Sequence, residues 1–508
     1  MIAAFALLAA VLHAATAWRY GYFRDELYFI ACSKHLAWGY VDQPPLVALA
    51  GWIASPTGYD LLALRAVPIL AAALTVYVAA RLAAELGGGR FAQLLAACAT
   101  LLLPAYLLLG NVLTTTSVEP FCWTVALYLT IRIVRAREAA QQPRLWIALG
   151  AITVLGVYTK YSTLLFAACV ILALLVTPER RVLRSRHFAM AAAIVLVALA
   201  PNLGWQATHG WPFAQVLRGD ALHRPGFQAG FALEYHDLAK NAGGFVLEQL
   251  LYTNPLAAPI WIAALVAPFR LPALRDLRFV PVAYGIATIV ALTLAAKGYY
   301  LIGFYGALFA VGAVAVERAT PVLRNLALGA AVAAGLAALP LSLPVLPVDG
   351  LIAYTKVLHL TGRGDSPPHL IQPVFAEEFG WERLARDVAV VYVKLPPSVQ
   401  RETAVYADTY GDAGALDFFG PRYGLPPAIS SQNNYYLWGT RGYSGRFLLA
   451  VGASRVDLLR RYYRRVVLVR TSTEPYKWMV EGPAPIYFCY GPVAPLSAIW
   501  PHLRWYGA

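Results

Sequence analysis

Long apolar blocks, separated by short polar stretches, follow one another along the first two thirds of the chain. Few positions within a block are charged. The blocks cover residues 1–18, 61–80, 91–109, 121–134, 146–158, 164–176, 188–203, 256–266, 280–295, 301–316 and 326–346. Each is near the ~20 residues that a helix needs to cross a membrane core of ~30 Å, although several are short and need their flanking residues. The pattern therefore predicts about eleven transmembrane helices.

The composition agrees with a polytopic membrane protein. Of the 508 residues, 59% are hydrophobic and 13% are charged, whereas a soluble domain carries roughly twice that share of charge. The mean hydropathy is +0.57. We expect the first block to be a membrane span, because it lacks the basic start and the small-residue cleavage site of a secretory signal.

The positive charge is distributed in a way that predicts the orientation of the helices. The net charge is +14. Basic residues are concentrated in every second connection between the apolar blocks: Arg81, Arg90, Arg132, Arg135, Arg137, Arg144, Arg180, Arg181, Arg184, Arg186, Arg270, Arg275, Arg278, Arg318 and Arg324. Such connections face the cytoplasm, so we do not interpret the charge as a nucleic-acid signal. The long connections 20–60 and 204–254 then face outward. We expect a multi-pass protein of the cell inner membrane, with its active site and C-terminal part facing the periplasm.

The composition changes near residue 349, which predicts a second domain. Charge rises there, and the composition of residues 362–368 predicts a turn-rich linker. Beyond the linker, short β-rich runs alternate with helical ones at 388–395, 404–407, 414–419, 446–451, 456–463, 466–470 and 486–490. This alternation favours a small α/β domain with a partly parallel sheet. We therefore divide the chain into a transmembrane domain, 1–348, with large outer loops at 20–60 and 204–254, and a periplasmic α/β domain, 349–508.

Two further features leave alternatives open. Segment 423–442 is rich in amide and aromatic side chains, which suits either loop packing or contact with a sugar. Cys32 and Cys489 would both lie outside the cytoplasm, where a disulfide is permitted, but their distance apart in sequence does not decide whether it forms. No Cys and His spacing suggests zinc.

The first outer loop gathers ionisable groups beside a membrane surface, where they are costly and often functional. It contains Asp25, Glu26 and Asp42, with Arg24 and a Pro-Pro turn. In a purely structural interpretation, Asp25 is the N-cap of an interfacial helix that Gly39 ends. Capping and catalysis are compatible, because a cap holds its carboxylate rigidly.

Acids and lysines also occur at the outer ends of other predicted helices. Glu119 precedes Pro120 at a helix start, where it could be a cap, and Lys160 could extend to lipid headgroups. Lys297 is the fourth such group. Transfer of a sugar from a lipid phosphate needs a carboxylate beside the attacking hydroxyl and cations around the leaving phosphate. We expect these side chains to converge just above the bilayer.

Five segments, in order, resemble the bacterial protein-mannosyltransferase-like branch of the glycosyltransferase C superfamily, whose relatives include lipid A aminoarabinose transferases and protein O-mannosyltransferases. They are RDELY at 24–28, VDQPPL at 41–46, TSVEP at 116–120, YTKYS at 158–162 and KGYY at 297–300. The resemblance extends over the whole chain. It implies an integral enzyme that takes a sugar from a polyprenyl phosphate with inversion at the anomeric carbon.

The resemblance also implies roles for individual residues. It assigns the base to Asp25, with Glu26 as second choice, and the second outer acid to Glu119. Lys160 and Lys297 correspond to groups that meet the donor phosphate, and we predict Arg24 as a further phosphate contact. The aminoarabinose transferases have lysine where Gln43 stands, which indicates a different substrate. The expected sugar or acceptor contacts are Asp42, Gln43, His236, Gln249 and Tyr299, with His223 and Glu248 as weaker candidates.

The sequence thus predicts a hexosyl- or pentosyltransferase with a polyprenyl-phosphate-sugar donor and a glycan, lipid or protein acceptor. The alternative is a lipid-linked sugar transporter or flippase that uses the same cavity without breaking a bond. No cofactor and no nucleic-acid partner are expected. A divalent cation held by carboxylates with open positions stays possible.

Overall fold

The computed structural model describes residues 1–136, 142–221, 238–294, 296–360, 371–452, 456–477 and 483–507. Its α-helices are α1 (Ile2–Thr16), α2 (Arg24–Ser33), α3 (Leu46–Ala54), α4 (Leu61–Glu85), α5 (Arg90–Leu101), α6 (Pro104–Leu109), α7 (Glu119–Arg135), α8 (Gln142–Thr159), α9 (Ser162–Val176), α10 (Arg186–Thr208), α11 (Pro212–Ala221), α12 (Leu238–Tyr252), α13 (Ala258–Arg270), α14 (Phe279–Thr293), α15 (Tyr305–Val316), α16 (Pro321–Ser342), α17 (Val348–Val357), α18 (Pro373–Ala376), α19 (Trp381–Tyr392), α20 (Pro397–Gln400), α21 (Tyr410–Phe419), α22 (Asn433–Trp438), α23 (Val456–Tyr462) and α24 (Leu496–Leu503).

All eleven apolar blocks of the sequence coincide with helical segments. Among the described residues, four helices are long and apolar enough to cross a membrane: α4, α10, α16 and the segment Gly298–Val316, which begins as a 3-10 helix. The number rises to six if each of two bent helix pairs is one span. The remaining apolar helices are shorter, so the count of about eleven spans stays a prediction.

The contacts within the chain divide it into two compact units. The first comprises Met1–Ala17, Arg65–Leu203 and Gln228–Val345, and the second Trp18–Leu64, Gly204–Phe227 and Leu346–Ala508. The predicted division at 348/349 falls close to the last of these boundaries. The first outer loop, however, belongs to the same unit as the C-terminal part of the chain.

The first unit is helical, and burial within it follows the apolar pattern. Helix α15 consists of apolar residues, small residues and one tyrosine, and every residue from Tyr305 to Val314 is buried. A helix that is apolar on all sides is expected in such a central position. Helix α16 is also mostly apolar, but its Leu323, Leu326 and Leu336 are exposed. The exposed apolar surface of α16 is the kind that faces lipid in a membrane protein.

The second unit contains a five-stranded sheet. Its strands are β1 (Thr403–Ala407), β2 (Ala428–Ser430), β3 (Phe447–Val451), β4 (Tyr463–Ser472) and β5 (Ala484–Pro492), in the order β2-β1-β3-β5-β4. Strands β2, β1 and β3 are parallel, whereas β5 is antiparallel to both β3 and β4. The prediction of an α/β domain with a partly parallel sheet is confirmed.

The individual runs of that domain divide between helices and strands. Runs 404–407, 446–451, 466–470 and 486–490 lie in strands, and runs 388–395, 414–419 and 456–463 lie mainly in helices α19, α21 and α23. Strand β2, only three residues long, was not expected. Cys32 and Cys489 are both free and buried, so no disulfide joins them. The predicted linker 362–368 lies outside the described residues.

Candidate active site

The carboxylate that caps the start of helix α2 belongs to Glu26, not to Asp25. Phe23 is the N-cap residue, and its backbone N–H donates to Glu26 Oε2 at 2.8 Å. This is the backbone half of a capping box, in which the third helical residue reaches back to the N-cap. The interpretation of Asp25 as the N-cap is therefore wrong. Gly39 does not end α2 either, because the helix stops at Ser33.

Asp25 is held through one of its two carboxylate oxygens. Oδ1 accepts from Arg24 Nε at 3.2 Å and from the Tyr410 hydroxyl at 2.9 Å. Among the described residues, no donor lies within hydrogen-bonding distance of Oδ2, and the side chain is 24% exposed. Arg24 also pairs with Glu377 at 3.3 Å. The carboxylate of Asp25 is thus fixed in orientation while one oxygen stays open to a ligand.

Asp42 is anchored at both oxygens. Oδ1 accepts from the Tyr28 hydroxyl at 3.0 Å, and Oδ2 accepts from Asn433 Nδ2 at 3.0 Å. The backbone N–H of the preceding residue, Val41, donates to Asn434 Oδ1 at 2.7 Å. The Asp42 turn is therefore fixed by α22, about 390 residues further along the chain.

The amide-rich segment at 432–434 packs inside the second unit. Gln432, Asn433 and Asn434 are at most 2% exposed. Gln432 Oε1 accepts from the Tyr410 backbone N–H at 2.7 Å, and its Nε2 donates to the Gly507 carbonyl at 3.0 Å. Asn433 Oδ1 accepts from Gly507 N–H at 3.1 Å. These bonds favour the packing interpretation of the segment over a sugar-contacting one.

We call Arg24, Asp25, Tyr28, Asp42 and Tyr410 the Asp25 cluster. Burial raises the pKa of Asp42 to about 7, although the side chain accepts two hydrogen bonds that favour its charged form. Because the tyrosine hydroxyl can accept as well as donate, a protonated Asp42 can donate to Tyr28. The cluster therefore accommodates both protonation states of Asp42.

Asp42→Asn is expected to change how stability depends on pH. Between about pH 4, the ordinary range of an aspartate, and the folded-state pKa of about 7, the folded chain keeps a proton that the unfolded chain releases. The contribution of Asp42 to stability is present below that window and is lost as the pH rises through it, by a few kcal/mol at roughly 1.4 kcal/mol per pKa unit. Thermal midpoints in detergent at pH 5 to 8 should show the wild-type chain losing stability relative to Asp42→Asn. Parallel profiles would contradict the assignment.

A second group of polar side chains lies in the first unit, and we call Thr116, Glu119, Lys160, Tyr299 and Tyr300 the Lys160 cluster. Lys160 Nζ donates to Thr116 Oγ1 at 2.9 Å and lies 3.6 Å from Glu119 Oε2. It also lies 4.9 Å and 4.4 Å from the ring centres of Tyr299 and Tyr300. The ammonium is thus held by a carboxylate and two aromatic faces.

Glu119 is a buried carboxylate with an incomplete set of hydrogen bonds. Its side chain is 1% exposed, and its Oε1 accepts from the Ser162 hydroxyl. Its Oε2 has no hydrogen-bond partner among the described residues. An ionised oxygen in that position is costly unless a cation or donor compensates it. Glu119 and Lys160 therefore depend on each other for their charged states.

Lys297 lies just before Tyr299 and Tyr300 in the chain. Its side chain is exposed, whereas the two tyrosines are partly buried. The residue after it, Gly298, is fixed from α12: Glu248 Oε2 accepts from its N–H at 3.0 Å, and Gln249 Nε2 donates to its carbonyl at 2.7 Å. Gln249 Oε1 also accepts from the Tyr305 hydroxyl at 2.8 Å. Two consecutive residues of α12 therefore hold the turn that carries Lys297.

Six of the predicted site residues lie in these two clusters: Arg24, Asp25, Asp42, Glu119, Lys160 and Tyr299. Gln43 lies beside Asp42 but is 2% exposed, with its Nε2 3.7 Å from Cys32 Sγ. His223 and His236 lie outside the described residues. Within the described ranges, no three His, Cys, Asp or Glu side chains are grouped so as to hold a metal ion. The assigned roles, and the possible divalent cation, stay predictions.

Sequence reasoning missed Tyr410, Asn433 and Asn434 as parts of the site. Each contacts the first loop from a position about 390 residues away in sequence. The Gln-Asn-Asn run at 432–434 stood out as an unusual cluster of amides, but the sequence did not show that it binds the loop at Val41 and Asp42. Tyr410 begins helix α21, and nothing in the surrounding sequence marked it as a functional residue.

Comparison with known proteins finds a matching sequence family and a solved protein with a similar fold over nearly the whole chain. Residues 42–205 match the family described as dolichyl-phosphate-mannose-protein mannosyltransferase. The fold is similar to that of ArnT from Cupriavidus metallidurans, both bound to undecaprenyl phosphate (15% identity) and in the apo state (16% identity). In each case the TM-score is 0.65, with 96% of this chain and 97% of that chain covered.

A weaker likeness joins the chain to the oligosaccharyltransferase of Archaeoglobus fulgidus, in its complex with Zn and sulfate, at 13% identity. Its TM-score is 0.43, with 89% of this chain and 68% of that chain covered. No curated protein matches the sequence. Over residues 42–205 the chain is thus similar to the protein-mannosyltransferase family, and over nearly its whole length it has a fold similar to that of ArnT.

Proposed function

We propose that this chain is an integral membrane glycosyltransferase. It moves a sugar from a polyprenyl-phosphate-linked donor to an acceptor hydroxyl on the outer face of the inner membrane, with inversion. The observation that carries the proposal is the state of Asp25: its Oδ1 is fixed by Arg24 and Tyr410, and its Oδ2 receives no donor among the described residues. A general base needs such a fixed but accessible carboxylate.

In the proposed reaction, Asp25 Oδ2 takes the proton of the acceptor hydroxyl as its oxygen attacks the anomeric carbon. The bond between that carbon and the phosphate oxygen breaks, and the electron pair leaves with the lipid phosphate. Attack opposite the leaving group inverts the anomeric configuration. The carboxylate also stabilises the positive charge that develops on the sugar ring.

The cations of the first unit are proposed to compensate the leaving phosphate. Its charge increases in the transition state, and preorganised cations stabilise that increase. Lys160 is held in place by Glu119, Tyr299 and Tyr300, and the exposed Lys297 adds a second ammonium. Arg24 is the predicted third cation, but it already pairs with Asp25 and Glu377. Arg24 therefore suits positioning of the base as well as phosphate binding.

Two similarities support a lipid-linked donor. The matched family is described by a dolichyl-phosphate-mannose donor, and the similar ArnT structure is bound to undecaprenyl phosphate. A polyprenyl phosphate sugar also supplies its own activated leaving group. Asp42 and Gln249, whose side chains are engaged within the chain, are proposed to shape the sugar and acceptor sites.

The purified chain in proteoliposomes tests the proposal. We expect undecaprenyl phosphate carrying a radiolabelled hexose or pentose to lose its label to a water-soluble or lipid acceptor fraction from envelope extracts. Release of unlabelled undecaprenyl phosphate should match the transferred label. Label that changes leaflet while staying on the polyprenyl phosphate would instead support the transporter alternative and overturn the proposed function.

A further inference from the structure

We propose that Tyr410, at the start of α21 in the α/β domain, is a positioning residue for the base, holding Asp25 Oδ1 so that Oδ2 faces the acceptor. This inference rests on the proposed function, since it assumes that Asp25 is the base. It adds a role for the C-terminal domain in the transfer reaction itself, beyond packing.

Hydrogen bonds to the backbone hold the start of α21, where Tyr410 lies, in place. The Thr409 hydroxyl caps α21 by accepting from Asp412 N–H at 3.1 Å, as N-cap threonines do. The backbone N–H of Tyr410 donates to Gln432 Oε1 at 2.7 Å, and Gln432 is itself bonded to Gly507. The first residue of α21 therefore has little freedom to move.

The alignment of α21 against α2 is set by close backbone packing. A Cβ atom on Gly414 would lie 2.8 Å from the backbone carbon of Leu27, and one on Gly411 would lie 2.5 Å from Arg24 Cγ. Only glycine permits that approach. The two helices thus meet in a single register, and this register places the Tyr410 hydroxyl against Asp25.

The ring of Tyr410 is held on two sides. Its centre lies 4.7 Å from that of Tyr28, and the Arg24 guanidinium lies 5.4 Å from it. The residue is 6% exposed. Burial raises the pKa of Tyr410 well above its ordinary value, so the hydroxyl keeps its proton and remains a donor to Asp25.

The hydroxyl has a direct effect on the chemistry of the base. A hydrogen bond to a carboxylate favours its charged form, and hydrogen bonds to charged groups are stronger than those between neutral groups. The other charged or titratable groups that face Asp25 within this unit are Arg24, Asp42, Tyr28 and, through Arg24, Glu377. Replacing Tyr410 by phenylalanine leaves all of these groups in place.

The test is the pH profile of transfer by Tyr410→Phe in the radiolabelled-donor assay. We expect kcat to fall about tenfold and the acid limb of the profile to move up by about one pH unit, because the base then holds its proton more tightly. The KM for the lipid donor should change less than twofold. A purely structural role would lower the amount of folded protein without moving the acid limb.

Tyr463→Phe is the matched control. Tyr463 is also buried, at 4% exposure, and its hydroxyl donates to the Gly445 carbonyl at 3.0 Å, away from Asp25. This variant should keep the wild-type acid limb. If Asp25→Asn is inactive but Tyr410→Phe keeps the wild-type kcat and profile, this inference is overturned. If Asp25→Asn transfers sugar normally, Asp25 is not the base and this inference falls while the proposed transfer stands; if the wild-type chain transfers no label, the proposed function itself fails.

Discussion

Asp25→Asn is expected to lower the rate of sugar transfer by about 100- to 10,000-fold, the range that general-base catalysis contributes. The amide keeps an oxygen that can accept from Arg24 and Tyr410, as Asp25 Oδ1 does. It has no basic oxygen left for the acceptor proton. The chain should therefore fold and insert normally while the radiolabelled donor stays intact.

Glu26→Gln is the informative companion to that variant. Glu26 is 0% exposed, and its Oε2 accepts from the Phe23 backbone, so it is placed to hold the helix start rather than to meet a substrate. Its glutamine variant keeps an oxygen for that bond and loses only the negative charge near the helix N-terminus, so it should lose about 0.3–1 kcal/mol of stability and keep most of its transfer activity. The opposite outcome, an active Asp25→Asn and a folded but inactive Glu26→Gln, would move the base to Glu26.

Lys160→Met is expected to weaken both the fold and the affinity for undecaprenyl phosphate. Loss of the ammonium leaves Glu119 buried without its cation, and breaking a buried ion pair costs about 3–5 kcal/mol. Loss of a charged contact to phosphate should weaken binding by about 10- to 100-fold. Thermal midpoints in detergent and binding of undecaprenyl phosphate to the purified chain measure the two effects separately.

The double variant Lys160→Met with Glu119→Gln separates stability from function. It removes both charges together, so most of the lost stability should return, while the affinity for undecaprenyl phosphate should stay low. Lys394→Met, at an exposed lysine of the second unit, controls for loss of one positive charge. Recovery of wild-type affinity in the double variant would exclude Lys160 from phosphate binding.

The helices of the first unit could be predicted because their signal is local. An apolar block of sufficient length forms a helix in a membrane whatever it packs against, and all eleven blocks coincide with helical segments. The strands of the second unit were less distinct. Val456–Tyr462 contains valine and tyrosine, which are typical of strands, together with leucine and arginine, which are typical of helices. It forms α23, and short runs of this kind fit either structure.

The site was predictable in its acids and lysines but not in what holds them. Asp25, Asp42 and Lys160 stand out because charge is rare in such a sequence. The capping role fell to Glu26 because the N-cap is Phe23, a residue whose side chain cannot cap. Tyr410 and Asn433 were missed because their bonds join distant parts of the chain, and a single sequence does not encode which distant partner a polar side chain finds.

The bonds of Gly507 to Gln432 and Asn433 have a practical consequence for protein engineering. Gln432 holds Tyr410 and Asn433 holds Asp42, so Gly507 helps to set the shape of the loop that contains Asp42. A chimera that exchanges only the C-terminal domain with that of a relative would separate these partners. A chimera should therefore exchange residues 18–64 together with residues 346–508, which belong to the same unit.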